Sequence, residues 1–197
     1  MRTIFIGSIA LLYACKQNNV QVVRDFEKNI PRVFTIKNSK NITVKNDTVF
    51  LNAKKYSGYL FELHANNIDT FSIQAYFNGL QNGTEKKWFP NGKEMESREY
   101  QQGKKQGRQI AFWENGNKKF QFTAKDDAYE GELKEWNMDG TLIHLANYKN
   151  GQEEGTQKLW YNNGKIRANY VIINGRRYGL LGTKNCINVS DSIFITR

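Results

Sequence analysis

Side chains suited to chemistry are few in this sequence and lie far apart. There are two histidines, His64 and His144, and two cysteines, Cys15 and Cys186. A structural or catalytic metal needs three or four ligands, commonly with two of them a few residues apart, and no His or Cys pair has that spacing. Cys186 has no neighbouring histidine to take its proton, and neither a Gly-x-Ser-x-Gly elbow nor a phosphate-cradling glycine loop occurs. The carboxylate pairs Asp126-Asp127 and Glu153-Glu154 have the right residue type for acid–base work. Both fall in expected loops, where solvated charge is the common reason for such pairs. No residue is therefore assigned a catalytic, cofactor-binding or metal-binding role, and the expectation is a chain that is not an enzyme and takes no cofactor.

Cys15 invites a different chemistry, covalent modification. Arg2 precedes an apolar run over residues 4–12 that is too short to cross a bilayer as a helix and reads as the hydrophobic part of an export signal. It ends in Leu12-Tyr13-Ala14-Cys15 and is followed by the polar Lys16-Gln17-Asn18-Asn19. This segment resembles the lipobox of bacterial lipoproteins, with Tyr13 standing where a small residue is usual. The resemblance implies a signal peptide over 1–14, lipid on Cys15 and a tether over 15–19. With no acidic residue just after the cysteine, it implies an outer-membrane anchor facing the periplasm. The competing reading is an unprocessed N-terminal strand, in which case Cys15 and Cys186 are free to form a disulfide in an oxidising compartment.

What must position any functional side chain is a repeat. Gly83, Gly107, Gly131, Gly155 and Gly179 recur every 24 residues, and Gly58 precedes the first. Five residues after four of these anchor glycines stands Trp88, Phe112, Trp136 or Trp160, and nine after stands Gly92, Gly116, Gly140 or Gly164, each preceded by Asn or Asp. Before the anchors come Gly79, Gly103, Gly151 and Gly175, and before those Tyr76, Tyr100, Tyr148 and Ile172. Asn-Gly and Asp-Gly between β-like runs predict tight hairpin turns with positive φ at both central residues. Strands are then expected over 84–89 and 156–161 before the turn and 93–100 and 165–172 after it, with the Gly-x-x-x-Gly connector starting the next unit.

Hairpins joined by short connectors should pair edge to edge into an elongated, all-β antiparallel meander, an open solenoid of 24-residue repeats. Trp88, Phe112, Trp136 and Trp160 would stack on one face as core. A less regular column, Phe89, Trp113, Asn137 and Tyr161, would oppose them, because successive strand residues face opposite ways. One repeat departs, with Ala124 in place of the tyrosine and Asp127 in place of the first connector glycine. Drift explains that better than a contact site. Residues 20–57 read as an N-terminal cap with short strands over 33–36, 42–44 and 49–51 and a helix over 20–28. The array runs over 58–183, and 184–197 reads as a C-terminal cap with a closing strand over 192–195.

The chain is basic, with a net charge of +10. Lysines spread through every repeat fit solubility and edge protection better than a nucleic-acid footprint, so nucleic acid is not expected as a partner. The pattern Tyr-x-x-Gly-x-x-x-Gly, an aromatic and Asn-Gly resembles the variant MORN repeat of bacterial proteins labelled YwqK-family antitoxins, over residues 56–183. That resemblance implies a binding or scaffold protein whose partner is an unknown protein or envelope component, with membrane contact through the lipid anchor. It equally admits an immunity protein that neutralises a toxin, or an array that docks on anionic lipid or polysaccharide.

Overall fold

Backbone reversal sets the architecture, and two kinds of turn alternate along the chain. The computed structural model describes residues 29–182. The signal segment, Cys15, the tether, the helix expected over 20–28, Cys186 and the C-terminal cap lie outside the described residues.

The first strands are β1 (Phe34–Ile36), β2 (Ile42–Lys45), β3 (Thr48–Leu51) and β4 (Lys54–Lys55). The array follows as β5 (Gly58–Leu63), β6 (Thr70–Phe77), β7 (Leu80–Gln81), β8 (Gly83–Trp88), β9 (Glu94–Gln101), β10 (Lys104–Phe112) and β11 (Lys118–Lys125). It continues through β12 (Ala128–Trp136), β13 (Leu142–Lys149), β14 (Gln152–Glu153), β15 (Gly155–Trp160), β16 (Ile166–Ile173) and β17 (Arg176–Leu180). One long sheet has the order β1-β5-β6-β8-β9-β10-β11-β12-β13-β15-β16-β17, while β2, β3 and β4 form a separate small sheet. The all-β meander expected from the repeat is present. Its one departure is β1, which lies parallel to β5. The chain leaves β1, builds the small sheet and returns, a connection long enough for parallel pairing.

The expected turn chemistry was assigned to the wrong place. At the hairpin tips, the Phe89 N–H donates to the Lys93 carbonyl and the Gly92 N–H to the Phe89 carbonyl, both at 2.9 Å. The loop therefore has three residues, Pro90-Asn91-Gly92, and of these only Gly92 has positive φ, at 77°. Asn91 contributes its side chain, whose Oδ1 accepts the Lys93 N–H at 3.0 Å. The same backbone bonds recur around Gly116, Gly140 and Gly164. This is the three-residue hairpin loop, closed by a left-handed glycine.

The two-residue turn with positive φ at both positions occurs instead in the connectors. Gln102-Gly103 lies at φ 50° and 84° between the paired Gln101 and Lys104. Asn78-Gly79, Asn150-Gly151 and Asn174-Gly175 do the same. In the departing repeat Asp126 and Asp127 hold φ 50° and 69°. Asp tolerates this region better than most residues because its short carboxylate bonds locally, and here Asp127 Oδ1 accepts the Lys105 N–H at 2.8 Å.

Four anchor glycines are bulge residues with positive φ, at 83°, 86°, 74° and 81° for Gly83, Gly107, Gly131 and Gly155. Directly across the ladder from them stand Tyr100, Ala124, Tyr148 and Ile172, and Tyr76 stands across from Gly58. The positive φ, which L side chains rarely adopt, is what fixes glycine at these positions. Where Ala124 replaces the tyrosine, Tyr129 pairs with it, and its ring packs on Phe122 and Tyr148 at centroid distances of 4.7 and 4.9 Å.

Repeats are coupled by a residue the column analysis passed over, the one before each anchor glycine. Asn82 Oδ1 accepts the Gln102 N–H at 2.9 Å, Gln106 Oε1 the Asp126 N–H at 3.1 Å and Glu130 Oε2 the Asn150 N–H at 2.9 Å. Each reaches the connector of the next repeat and satisfies a turn N–H that the ladder cannot. Gln106→Ala is expected to cost about 0.5–1 kcal/mol and to raise hydrogen exchange at the Asp126 amide specifically. Unchanged exchange there would show that the bond contributes nothing.

The densest apolar packing lies where the small sheet meets the array: Val49, Tyr56, Leu60 and Tyr76 are buried together, with Ile42 and Leu51 against them. The Tyr56 hydroxyl lies 3.1 Å from the Val33 carbonyl, 3.2 Å from Thr35 Oγ1 and 3.0 Å from the Tyr59 carbonyl. Gly58, at φ 147°, passes so close that a Cβ there would sit 2.6 Å from the Val33 carbonyl.

Candidate functional site

A single sheet has two faces and two rims, and the repeat gives each a constant chemistry. On one face Glu85 pairs with Arg98, Arg98 with Gln109 and Gln109 with Phe122 as direct cross-strand neighbours. Leu133 pairs with Ala146 and Gln157 with Tyr170 in the later repeats. The position two residues after each anchor glycine, held by Glu85, Gln109, Leu133 and Gln157, is the buried one throughout. The tryptophan column had been expected to fill that role. Trp88, Phe112, Trp136 and Trp160 are instead half-buried. They stand at the last position of their strands beside the hairpin tips, where fewer neighbours can cover them.

The buried column is polar where it can be satisfied. Glu85 Oε1 accepts from Gln74 Nε2 at 2.8 Å, Glu85 Oε2 from Gln81 Nε2 at 3.1 Å, and Lys87 Nζ approaches Oε1 at 3.3 Å. Gln109 Nε2 donates to the Glu99 carbonyl at 2.9 Å and Gln157 Nε2 to the Asn147 carbonyl at 2.8 Å, the same bond two repeats apart. Their Oε1 atoms are buried without a partner. Beside them Glu96 is held by Arg98 through two 2.8 Å contacts and by Lys87 at 3.1 Å. Burial works against the Glu96 carboxylate, but the bonds and charges of Arg98 and Lys87 outweigh it and keep the carboxyl below its ordinary range. Burial, reinforced by Glu85, pushes the Tyr76 phenol up to about 12 and the Tyr100 phenol higher still than its ordinary value. Every one of these shifts holds a group in its ordinary charge state, which is the signature of packing.

The tip rim is different. Successive tips are tied by Asn115 Nδ2 and Asn117 Nδ2, which donate to the Met138 carbonyl at 2.7 and 2.9 Å, and by the Trp113 indole N–H, which donates to the Trp136 carbonyl at 3.0 Å. Lysines lie on the exposed ring faces: Lys119 Nζ is 4.5 Å from the Trp113 centroid and Lys118 Nζ 5.5 Å from that of Trp136. Two open grooves sit on this rim, one beside Trp88 and one beside Trp160. One, of about 530 Å³, is lined by Asp69, Thr70, Ile73, Trp88, Phe89 and Pro90, among others. The other, of about 340 Å³, includes Glu135, His144, Trp160, Tyr161 and Arg167. Of the second aromatic column, Phe89 and Tyr161 therefore stand beside the first column at the rim and line the same grooves as Trp88 and Trp160.

The two histidines are not brought together. His64 packs edge-on against Phe71 at 5.3 Å, while His144 Nδ1 lies 2.9 Å from Glu135 Oε2. The hydrogen bond from His144 holds the Glu135 carboxyl below its ordinary range against the effect of burial. The carboxylate pairs are structural: Asp127 closes its connector as described, Asp126 faces Lys104 at 3.7 Å, Glu153 meets Arg177 at 3.1 Å and Glu154 faces Lys149 at 3.9 Å. Among the described residues no three His, Cys, Asp or Glu side chains are grouped to hold a metal, and no helix is long and apolar enough to cross a membrane.

A family model described as MORN repeat variant matches residues 153–170, which take in the end of β14, β15, the tip and most of β16. No curated protein matches the chain. The match falls on one hairpin unit, and the glycine, aromatic and turn columns repeat that unit along the sheet.

Proposed function

We propose that the protein is a non-enzymatic binding scaffold of the bacterial cell envelope, anchored by lipid on Cys15 and presenting the rim and faces of its repeat sheet to a protein or other envelope partner. The observation that carries this reading is the tip rim. It repeats half-buried Trp88, Phe112, Trp136 and Trp160 along one continuous ladder, and aromatic side chains left partly exposed in a row are a recognised mark of contact surfaces. The polar groups of the buried column are already used for packing. Residues 12–15 and the polar stretch behind them support the anchor, and the absence of acidic residues just after Cys15 supports an outer-membrane position facing the periplasm.

Cys15→Ala is expected to move the protein from the membrane fraction to the soluble fraction, and the mature wild-type mass is expected to carry the lipid increment. A Cys15→Ala protein that still sediments with membranes would remove the anchor from this reading. Crosslinking of the wild-type protein in intact cells, followed by identification of what is joined to the rim, tests the scaffold half independently.

A further inference from the structure

We propose that the groove between Thr70 and Trp88 receives the ammonium group of a lysine side chain carried by a protein partner. The repeat itself supplies the reasoning. In the third hairpin the ring of Trp136 is covered by Lys118, with Nζ 5.5 Å from its centroid. Lys118 opens β11, where it pairs with Phe112 across the tip. Thr70 holds the corresponding place: it opens β6, pairs with Leu63 across a tip, and precedes Trp88 by the same number of residues as Lys118 precedes Trp136. A threonine cannot reach over an indole as a lysine does. The space that Lys118 fills beside Trp136 is, beside Trp88, an open groove of about 530 Å³.

That groove has a single charged lining residue, and it is negative. Asp69 lines it and no lysine or arginine does. The loop carrying Asp69 is fixed by its own hydrogen bonds: Asn66 Nδ2 donates to Asp69 Oδ2 at 2.6 Å, Asn66 Oδ1 accepts the Ile68 and Asp69 N–H groups at 3.0 and 3.1 Å, and the His64 N–H donates to the Asp69 carbonyl at 2.8 Å. A carboxylate held beside an indole is preorganised for a cation, and tryptophan is the best of the aromatic partners for one. The acceptors decide which cation. Asp69 and the Thr70 hydroxyl reward N–H donors, which a primary ammonium has and a quaternary one lacks.

The groove at Trp160 does not share this chemistry, because Arg167 lines it, opposite in charge to Glu135, and Leu142 stands in the place of Lys118. The chain's own net charge of +10 opposes association with a second copy, so the lysine belongs to another protein. The inference rests on the scaffold reading only in that the partner is a protein.

The test needs no partner. Full-length protein labelled with nitrogen-15 is titrated with Nα-acetyl-lysine methylamide while the Trp88 indole N–H is followed by NMR. Saturable shifts are expected at Trp88 and Asp69, with binding at least tenfold weaker for the Nε-acetylated derivative and for choline. Thr70→Lys fills the groove from within, as Lys118 does for Trp136, and is expected to abolish the shifts while leaving the remaining amide spectrum in place. Equal binding of the acetylated derivative, tighter binding of choline, or unaltered binding by Thr70→Lys would each overturn the proposal. None of those results bears on membrane release by Cys15→Ala, so the two readings fail separately.

Discussion

Leu60→Ala is expected to lower the stability of the protein by about 2–5 kcal/mol, the range for truncating a fully buried leucine. Leu60 is 2% exposed and sits in the one cluster where the small sheet and the array share apolar side chains, with Val49, Tyr56 and Tyr76 around it. A sheet with solvent on both faces elsewhere has little other apolar volume to lose, so the effect should exceed that of any comparable truncation in the repeats. Denaturant unfolding followed by tyrosine and tryptophan fluorescence measures it. Leu180→Ala, on the exposed last strand, is the control and is expected to stay within about 0.5 kcal/mol. A loss below about 1 kcal/mol for Leu60→Ala would mean that the junction is not where the fold is held.

Gln157→Glu is expected to cost about 3–5 kcal/mol near neutral pH, although it changes a single atom. Gln157 is 0% exposed, its Nε2 donates to the Asn147 carbonyl, and its Oε1 has no donor. A carboxylate there loses the donor, faces a carbonyl oxygen and cannot be hydrated, so its pKa must rise by roughly 2–4 units, at 1.36 kcal/mol each. The sign follows: below the ordinary glutamate range the carboxyl is protonated in both folded and unfolded chains and the charge penalty vanishes. Above the raised folded value the penalty is complete. Stability of the variant relative to wild type should therefore recover as pH falls from about 8 to about 4. Gln157→Leu, which copies Leu133 at the equivalent position, is expected to be nearly neutral. If Gln157→Glu is equally stable across that range, the Gln157 side chain is not closed off from water as its burial implies. Glu85, at the same repeat position, has the donors that Gln157→Glu would lack: Gln74, Gln81 and Lys87.

Much of this was legible beforehand, for a reason particular to repeats. Strand pairing between adjacent hairpins is local, so glycine spacing and β-like runs were enough to place the strands to within a residue or two and to predict their order. Two strands of the small sheet were legible too, since those expected over 42–44 and 49–51 appear as Ile42–Lys45 and Thr48–Leu51, but its separation from the long sheet was not. The turn types were not, because Asn-Gly satisfies both a two-residue turn and the end of a three-residue loop. Only the count of residues between paired neighbours distinguishes them. The buried column was missed although it has the same period: Glu85, Gln109 and Gln157 do not look like core until their donors and acceptors are seen across the strands. A search for polar residues as well as aromatics at constant offset from the anchor glycines would have found both that column and Asn82, Gln106 and Glu130.

The amino-acid sequence alone determined the unit, its length and its direction of growth, because positive-φ turns and alternating strand residues are properties of a few consecutive side chains. Which side chains are buried, which rim leaves its aromatics open, and which indoles have a lysine over them were decided only by tertiary structure. Burial and charge pairing depend on neighbours a full repeat away. In a sheet with no second layer, those neighbours are the only cover a side chain has.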